Sequence, residues 1–477
     1  MKSKVRIILL LLFPGFFFFS NANSQEPWSL EKCITYALEN NIQIKQQKLN
    51  TEYNTNLLSQ AKVNIYPNLS ATGSYGASFG RALDQTTYEF TQNQTVQSIN
   101  MGLTSTTTLF SGFQKLNTIK KNDFDLRASL LDLEKLKNDI SLNIAAAYLQ
   151  ILFNRELLEV SKAQIEITAQ QVIRTKALVD AGSVAQGNFL EIQAQQASEE
   201  VQVVNYENLL ALSYLNLTQI LDLDSAGNFS IVIPEISSIN EAELMFAVND
   251  VYSTAESILP QIKASEYRLE SAYKGLEIAK GSRLPRLSLT GNYGSGYSDI
   301  RQQPVGSNIV TETIGYTSEL VPREVTITYP EIIYGSYPIR DQFKDNASSS
   351  IYFNLSIPIF TNFQIKTGIS NSRINMENYR LELSNTKNIL YKEIQQAYAD
   401  ALAALKKYKA SEKALIATQE SFKYSKEKFE VGLVNTVDFN IAKTQLVRTQ
   451  SDLLQAKYDF IFKTNILNFY RGESIKL

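Results

Sequence analysis

Residues 179–195 read VDAGSVAQGNFLEIQAQ, and residues 429–445 read FEVGLVNTVDFNIAKTQ. Glycine is the residue most often found just past the end of a helix, so each stretch is predicted to form a turn between two helices. The two stretches stand 250 positions apart, which indicates that the second half of the chain repeats the first. The residues that match at this offset are Gly182 and Gly432, Phe189 and Phe439, and Gln195 and Gln445.

Long segments without proline or glycine, Gln114–Ala181 and Ile369–Val431, precede the two turns. At ~1.5 Å per residue, each is predicted to form one helix of roughly 95–100 Å. Apolar residues recur every seven positions in both segments, beside a stripe of small or short polar residues. This stripe consists of Ala147, Asn154, Ser161, Thr168 and Thr175 in copy one, and of Ala397, Ala404, Ser411, Thr418 and Ser425 in copy two. The period is typical of coiled-coil packing, and it continues after each turn, so both copies are predicted to end in a long helical hairpin.

The segments upstream of the hairpins recur at an offset of 218, so the second copy contains an insertion of 32 residues, which we expect to form an external loop. The predicted organisation is repeat one over 25–223, a linker over 224–256 and repeat two over 257–477. Repeat one is predicted to contain helix 28–64, strands 66–80 and 96–110, and helical hairpin 114–222. Repeat two is predicted to contain helix 257–281, strands 285–297 and 349–360 with external loop 298–348 between them, and helical hairpin 364–471.

Apolar residues alternate with Ser, Thr, Asn or Gly in the four predicted strands. A membrane barrel wall and a small soluble sandwich both show such alternation. The polar face has few charges and aromatic residues stand near the strand ends, and both features favour a membrane barrel. Four strands cannot close a barrel, and an open edge is unstable in lipid, so the chain is predicted to oligomerise. An eight-stranded barrel fills its own interior, which favours a trimer with twelve strands.

The first 24 residues are predicted to be a secretory signal peptide, cleaved after Ala22 or Ser24. A basic head precedes the apolar run 7–19, and small polar residues follow it. A membrane anchor is the alternative, but the run is shorter than the ~20 residues that a spanning helix needs. Cys33 follows charged residues rather than the small residues that a lipid anchor would need, so we expect it to be a buried helix residue.

The composition argues against an enzyme. The chain has no histidine and one cysteine, its net charge is -2, and it lacks a GxxxxGK[ST] loop. The missing histidine removes the commonest general base and metal ligand, and the balanced charge gives no sign of a nucleic-acid partner. Paired carboxylates such as Glu199 and Glu200 are predicted to lie on a solvated helix face without a partner. No catalytic residue, metal site or cofactor is therefore predicted.

The order and spacing of these segments resemble the TolC-like outer-membrane efflux protein family over essentially the whole mature chain. The resemblance rests on Tyr66-Pro67 and Leu284-Pro285 before alternating strands, on the two glycine turns, and on the segments Asn188-Phe189-Leu190 and Asp438-Phe439-Asn440 that follow them. It implies an α+β, mostly α, trimeric channel-tunnel with four membrane strands per chain, a twelve-stranded outer-membrane barrel and a coiled-coil tunnel in the periplasm.

The resemblance also implies a function and partners. The chain would be a passive exit duct for efflux or secretion in the bacterial outer membrane. Its partners would be a periplasmic adaptor (membrane fusion) protein and an RND- or ABC-type transporter of the inner membrane, which supplies the energy. Two alternatives are a periplasmic adaptor, which would have one hairpin and no lipid-facing strands, and a secreted coiled-coil structural protein, which would leave the four strands without a use.

Residues around the glycine turns are the site candidates that the resemblance implies. The periplasmic aperture would be formed by Asp438, Phe429, Asn188 and Val179, and the adaptor would contact the helix turns at Gly182, Val184, Gly432 and Val434. Better-known members place an arginine at the position of Val434, so an arginine-locked gate is not expected here. Two simpler interpretations stay open, because Asp438 also fits a helix-stabilising N-terminal acid and Phe429 also fits an ordinary core residue.

Overall fold

The computed structural model describes residues 27–81, 83, 90, 94–223, 229–234 and 246–473, so the predicted signal peptide lies outside the described residues. The helices are α1 Leu30–Asn40, α2 Ile42–Val63, α3 Gln114–Asp180, α4 Gln186–Ile220, α5 Val248–Ile258, α6 Pro260–Gly281, α7 Ile339–Asp345, α8 Gln364–Glu430 and α9 Thr436–Tyr470. The strands are β1 Asn68–Gly80, β2 Gln94–Ser111, β3 Arg286–Ser298, β4 Gln302–Tyr316, β5 Glu324–Ser336 and β6 Ser348–Ser356. Of the helices in the described ranges, none combines the length and the apolar character needed to cross a membrane.

The chain divides into two compact units. Unit 1 comprises Met1–Lys48, Leu133–Pro260 and Lys387–Leu477, and unit 2 comprises Leu49–Asp132 and Gln261–Thr386. Unit 1 holds α4, α5, α9 and most of α3 and α8, and unit 2 holds all six strands. The bounds of α8 and α9 lie 250 residues after those of α3 and α4, so the corresponding helices of the two hairpins have the same lengths.

Unit 2 contains an antiparallel sheet with the strand order β1-β2-β3-β6. Leu69, Leu103 and Tyr293 fall on one face, because the register pairs Ala71 with Leu103 and Leu103 with Tyr293. The apolar face consists of Leu69, Ala71, Tyr75, Phe79, Ile99, Met101, Leu103, Leu287, Leu289, Tyr293, Tyr297, Ile351, Phe353 and Leu355. The opposite face carries mainly Ser, Thr, Asn and Gly, so the alternation in the sequence becomes a two-faced sheet.

The segment expected to be external loop 298–348 is folded instead. It forms the antiparallel pair β4–β5 and the short helix α7. β-branched and aromatic residues are frequent in this segment, and such residues favour strands. Gln342 of α7 is completely buried and accepts a hydrogen bond from the Ser298 amide at 2.9 Å. Its amide group also donates to the Ser298 carbonyl at 3.0 Å, which ties α7 to the end of β3.

The helix expected at the start of each repeat is interrupted in both repeats. The structure divides predicted helix 28–64 at Asn41, whose side chain accepts from the Gln43 amide at 2.9 Å and so caps α2. It also replaces predicted helix 257–281 with α5 and α6, which meet at Leu259. Pro260 causes this break, because the residue before a proline is pushed out of the helical conformation, and Leu259 has an extended ψ of 132°.

The core of unit 1 lies where α1, α3, α4 and α9 pack together. Its completely or almost completely buried residues include Cys33, Ile44, Ile144, Tyr148, Ile151, Leu152, Leu217 and Leu221. The Tyr148 hydroxyl donates to the Val232 carbonyl, so the only polar group of this side chain is satisfied. Cys33 is a buried helix residue, as predicted. Burial raises the pKa of its thiol to about 12, which keeps the thiol protonated and unreactive.

Gly112 and Gly281 bring two backbone segments of unit 2 together more closely than side chains would allow. A Cβ at Gly112 would overlap the Gly281 carbonyl oxygen, and a Cβ at Gly281 would overlap that of Gly112. Gly112 also has a φ of +62°, which disfavours any residue with a side chain. The junction between β2 and α3 therefore requires glycine at both positions.

The substitution Gly112→Ala is expected to lower the free energy of unfolding by about 2–3 kcal/mol, because it adds backbone strain to the overlap with Gly281. The control is Gly291→Ala in β3, where a Cβ would meet nothing within 4 Å and the loss should stay below about 0.5 kcal/mol. Thermal unfolding in detergent, followed by circular dichroism, measures both variants. Equal losses in the two variants would contradict the close approach.

Candidate functional site: the ends of the helical hairpins

Both hairpins turn through the same hydrogen-bonded motif. After α3, the amide of Gly182 donates to the Val179 carbonyl at 2.9 Å, and the Ser183 amide donates to the Leu178 carbonyl at 2.8 Å. The turn after α8 repeats this pattern, since Gly432 donates to Phe429 at 3.1 Å. This is the Schellman motif, which needs a residue with positive φ, and the two glycines have φ values of +69° and +78°.

The four predicted adaptor-contact residues occupy these turns. Gly182 and Gly432 are exposed, while Val184 and Val434 are half-buried. The glycine conformations explain why glycine stands at both positions. The exposure of the glycines leaves the two turns accessible from solvent in a single chain.

The predicted aperture residues lie on either side of the turns. Asp438 is exposed in the first turn of α9. Its amide donates to the side chain of Asn435 at 2.8 Å, so Asn435 caps the helix and Asp438 adds a negative charge beside the helix N-terminus. Asn188 and Val179, which come from the first copy, are half-buried. The geometry at Asp438 therefore fits its helix-stabilising interpretation and leaves its carboxylate free to face solvent.

Phe429 belongs to an aromatic cluster inside the second hairpin. Its ring stacks on Phe439 with centroids 4.5 Å apart. The ring centroid of Phe422, seven residues before Phe429, lies 5.7 Å from that of Phe439. Phe439 is 1% exposed and joins α9 to α8 directly above the turn. This packing fits the interpretation of Phe429 as a core residue.

A buried ion pair lies above the turns, and sequence reasoning missed it. The Lys443 side chain is 1% exposed and the Glu199 side chain is 12% exposed. The Lys443 ammonium lies 2.9 Å and 3.2 Å from the two carboxylate oxygens of Glu199. It also donates to the Thr168 hydroxyl, which in turn donates to Glu199. Gln195 donates to the same carboxylate at 2.8 Å, so every charged atom of the cluster has a partner.

The electrostatics of this cluster depend on burial. Removal from water lowers the pKa of the Lys443 ammonium, and the hydrogen bond and charge of Glu199 offset part of this effect. The predicted solvated position of Glu199 is therefore wrong, because α9 covers it. One signal was available in the sequence, since Lys443 follows the buried Phe439 by four residues and so shares its helix face. Only the packing of the two hairpins reveals that the face is covered.

A further contact joins the first hairpin to the second turn. The Arg174 guanidinium donates to the Glu430 carbonyl at 2.8 Å, at the last residue of α8. Within the described part of the chain, no group of three or more His, Cys, Asp or Glu side chains is arranged to hold a metal ion. The ends of the two hairpins therefore combine exposed turns with packed aromatic rings and paired charges.

Comparisons with known proteins agree with this architecture. A family model described as outer membrane efflux protein matches residues 33–222 and 251–470. Outer membrane efflux protein BepC of Brucella suis biovar 1 (strain 1330) is 20% identical over 433 residues, which cover 91% of this chain and 83% of that protein. Outer membrane protein TolC of Salmonella enteritidis is 20% identical over 402 residues, which cover 78% of this chain and 74% of that protein.

The fold agrees with a solved structure of the outer membrane protein VceC from Vibrio cholerae. The TM-score is 0.74 at 15% identity, and the alignment covers 94% of this chain and 97% of that one. At this identity the likeness establishes a shared fold.

Proposed function

This chain belongs to the outer membrane efflux protein family, and from this premise we propose that it is a passive exit duct for efflux or secretion. Its location is the bacterial outer membrane, with the helical part in the periplasm. One combination of features supports the duct most strongly, namely a sheet with a continuous apolar face and paired long helices in the same chain. A periplasmic adaptor and a secreted coiled-coil protein are set aside, because the matched family is one of outer membrane proteins.

The working form is a homotrimer built from internally duplicated chains. The family model matches two successive ranges of the chain, and the paired hairpins have equal lengths, which supports the duplication. The sheet ends in the unpaired edges of β1 and β6, and unpaired strand edges are unstable in lipid. Three copies would bring together twelve strands, enough for a closed barrel with an open bore, and their long helices would form a tunnel.

The duct works with two partners. A periplasmic adaptor docks at the helix turns around Gly182, Val184, Gly432 and Val434. The exposure of the two glycines supports contact at these turns. An inner-membrane RND- or ABC-type transporter supplies the energy, since the chain has no phosphate-binding GxxxxGK[ST] loop.

The inner end of the duct is an aperture near Asp438, Phe429, Asn188 and Val179. Asp438 is the strongest member of this set, because its carboxylate is exposed beside the turn. One carboxylate from each of three chains would form a negative ring that attracts cations and repels anions. Phe429 acts through its packing on Phe439, which holds the start of α9 in place.

Single-channel conductance in planar bilayers tests the duct and the ring together. We expect a steady, cation-selective conductance from the wild-type protein, and a loss of cation selectivity in Asp438→Ala. The control is Glu420→Ala, which removes an exposed acid from α8, ten residues before the end of that helix, and should leave selectivity unchanged. Unchanged selectivity in Asp438→Ala would refute the acidic ring alone. Failure of the wild-type protein to insert into the bilayer would refute the duct.

A further inference from the structure

Both hairpins contain a polar bridge between their two helices at matching positions. In the first hairpin the Thr168 hydroxyl of α3 bonds to Glu199 of α4. In the second, Thr418 of α8 lies 2.8 Å from the hydroxyl of Thr449 in α9. The members of the second bridge stand 250 positions after those of the first, so the two hairpins use equivalent positions for an equivalent contact.

Within one chain, the second hairpin covers this bridge in the first. Lys443 of α9 reaches both Thr168 and Glu199. Further along the same helix, Lys457 lies 3.6 Å from Glu156 of α3. These contacts define a seam within the chain, in which α9 of the second hairpin packs on the α3–α4 pair of the first.

The duplication places a second set of residues at the positions that form this seam. The counterpart of Lys443, 250 positions earlier, is Gln193, and the counterparts of its partners, 250 positions later, are Thr418 and Thr449. In the same way, Glu207 is the counterpart of Lys457, and Lys406 is the counterpart of its partner Glu156. The charges of the second pair are reversed, but they remain opposite. Both contacts are therefore complementary in the transposed set as well.

Gln193, Glu207 and Lys406 are exposed in a single chain, whereas Thr449 is already buried within its own hairpin at 7% exposure. Lys443 is 1% exposed, whereas its counterpart Gln193 is exposed. Thr168 is 1% exposed, whereas its counterpart Thr418 is only half-buried. On the same helix as Gln193, the apolar side chain of Val204 is 62% exposed. One of the two uncovered surfaces is therefore formed by α4 of the first hairpin, and the other is formed by α8 and α9 of the second hairpin.

We infer that a second copy of this chain completes the seam. α4 of one copy packs on α8 and α9 of the next, with Gln193 against Thr418, whose hydroxyl lies 2.8 Å from that of Thr449, and with Glu207 against Lys406. This inference rests on the proposed homotrimer and assigns the side chains that join its members. It also makes the two kinds of seam chemically different. The seam within a chain holds a buried ion pair, while the seam between chains holds neutral polar groups and an exposed ion pair.

Matched cysteine pairs test the assignment, with Cys33→Ala as the background. Glu156→Cys with Lys457→Cys marks the seam within a chain. Glu207→Cys with Lys406→Cys marks its transposed counterpart. After reaction with a short bis-maleimide, we expect the first pair to migrate as a monomer in denaturing gels. The second pair should give covalent dimers and trimers.

Native mass spectrometry of the unreacted variants distinguishes a failure of the assigned seam from a failure of the proposed homotrimer. A trimer whose second pair reacts only within a chain, or does not react, would overturn the assigned seam and leave the duct trimer standing. A protein that is monomeric before reaction would overturn both.

A charge exchange provides the second measurement. Glu207→Lys and Lys406→Glu each place like charges at the seam, and we expect each to shorten the lifetime of the trimer in mild detergent by about tenfold. The double variant should restore most of that lifetime. Glu207 also lies 3.4 Å from Lys162 in the same chain, so recovery in the double variant is the decisive result. The control is Glu191→Lys. Glu191 and its counterpart Ile441 are both exposed, so this position lies outside the seam within the chain and its transposed counterpart. Absence of recovery would count against the pairing.

Discussion

Replacing Lys443 with alanine is expected to lower the free energy of unfolding by about 3–5 kcal/mol, the range found when one partner of a buried ion pair is removed. The Glu199 carboxylate, with a side chain 12% exposed, would lose its cationic partner. Gln195 and Thr168 would still donate to it, but neutral donors do not balance a charge that is largely removed from water. The loss therefore measures the burial of Glu199 as well as the contact itself.

Denaturant unfolding in detergent, followed by circular dichroism, gives this free energy. The control is Lys463→Ala in the same helix, because Lys463 pairs with Asp400 at 2.8 Å while both side chains are about one-third exposed. That pair should contribute less than about 1 kcal/mol. The double variant Lys443→Met with Glu199→Met removes both charges and should recover most of the stability. Similar losses in Lys443→Ala and Lys463→Ala would show that the cluster is solvated.

Replacing Phe439 with alanine is expected to cost about 3–5 kcal/mol, the usual loss when a buried phenylalanine is truncated. Phe439 is 1% exposed and contacts the rings of Phe422 and Phe429. Its removal leaves a cavity between α8 and α9 next to the second turn. Since few other side chains between Phe439 and the turn are buried, we expect the turn to open locally before the rest of the hairpin.

Hydrogen exchange followed by mass spectrometry measures this opening. Amides in the segment 429–441 should exchange at least a hundredfold faster in Phe439→Ala, because each 1.4 kcal/mol corresponds to a factor of ten. The matched control is Phe189→Ala, the same position in the first hairpin, where the ring is only half-buried. We expect a clearly smaller change there. Equal effects in both hairpins would contradict the unequal packing of the two turns.

Several local features follow from the sequence alone. The glycine turns are predictable at single-residue level, because Gly182 and Gly432 satisfy a conformational need that few other residues meet. The two faces of the sheet also follow from periodicity, and the buried position of Cys33 follows from the charged residues before it, which do not fit a lipid anchor. Periodicity was less informative where one side chain decides a boundary. Asn41 and Pro260 each end a helix through local hydrogen bonding or steric conflict, and neither disturbs the apolar pattern.

The folded insertion and the buried ion pair were beyond the reach of sequence patterns. The segment 302–336 has strand-forming residues, but its pairing depends on the register between β4 and β5. Lys443 and Glu199 are distant in sequence and lie in different hairpins. A charged residue usually indicates a solvated helix face, and only contact with the other hairpin reverses that expectation.

The sequence by itself determined the positions of the turns and the alternation that gives the sheet an apolar face, because these properties depend on neighbours a few residues apart. It also showed that matching residues recur at an offset of 250. Tertiary structure alone decided which face of α9 is covered and which charges are buried, because those outcomes depend on how two helical hairpins with nearly the same period align. The unequal burial of Lys443 and Gln193, at matching positions of the two hairpins, is set by the surface that each one meets.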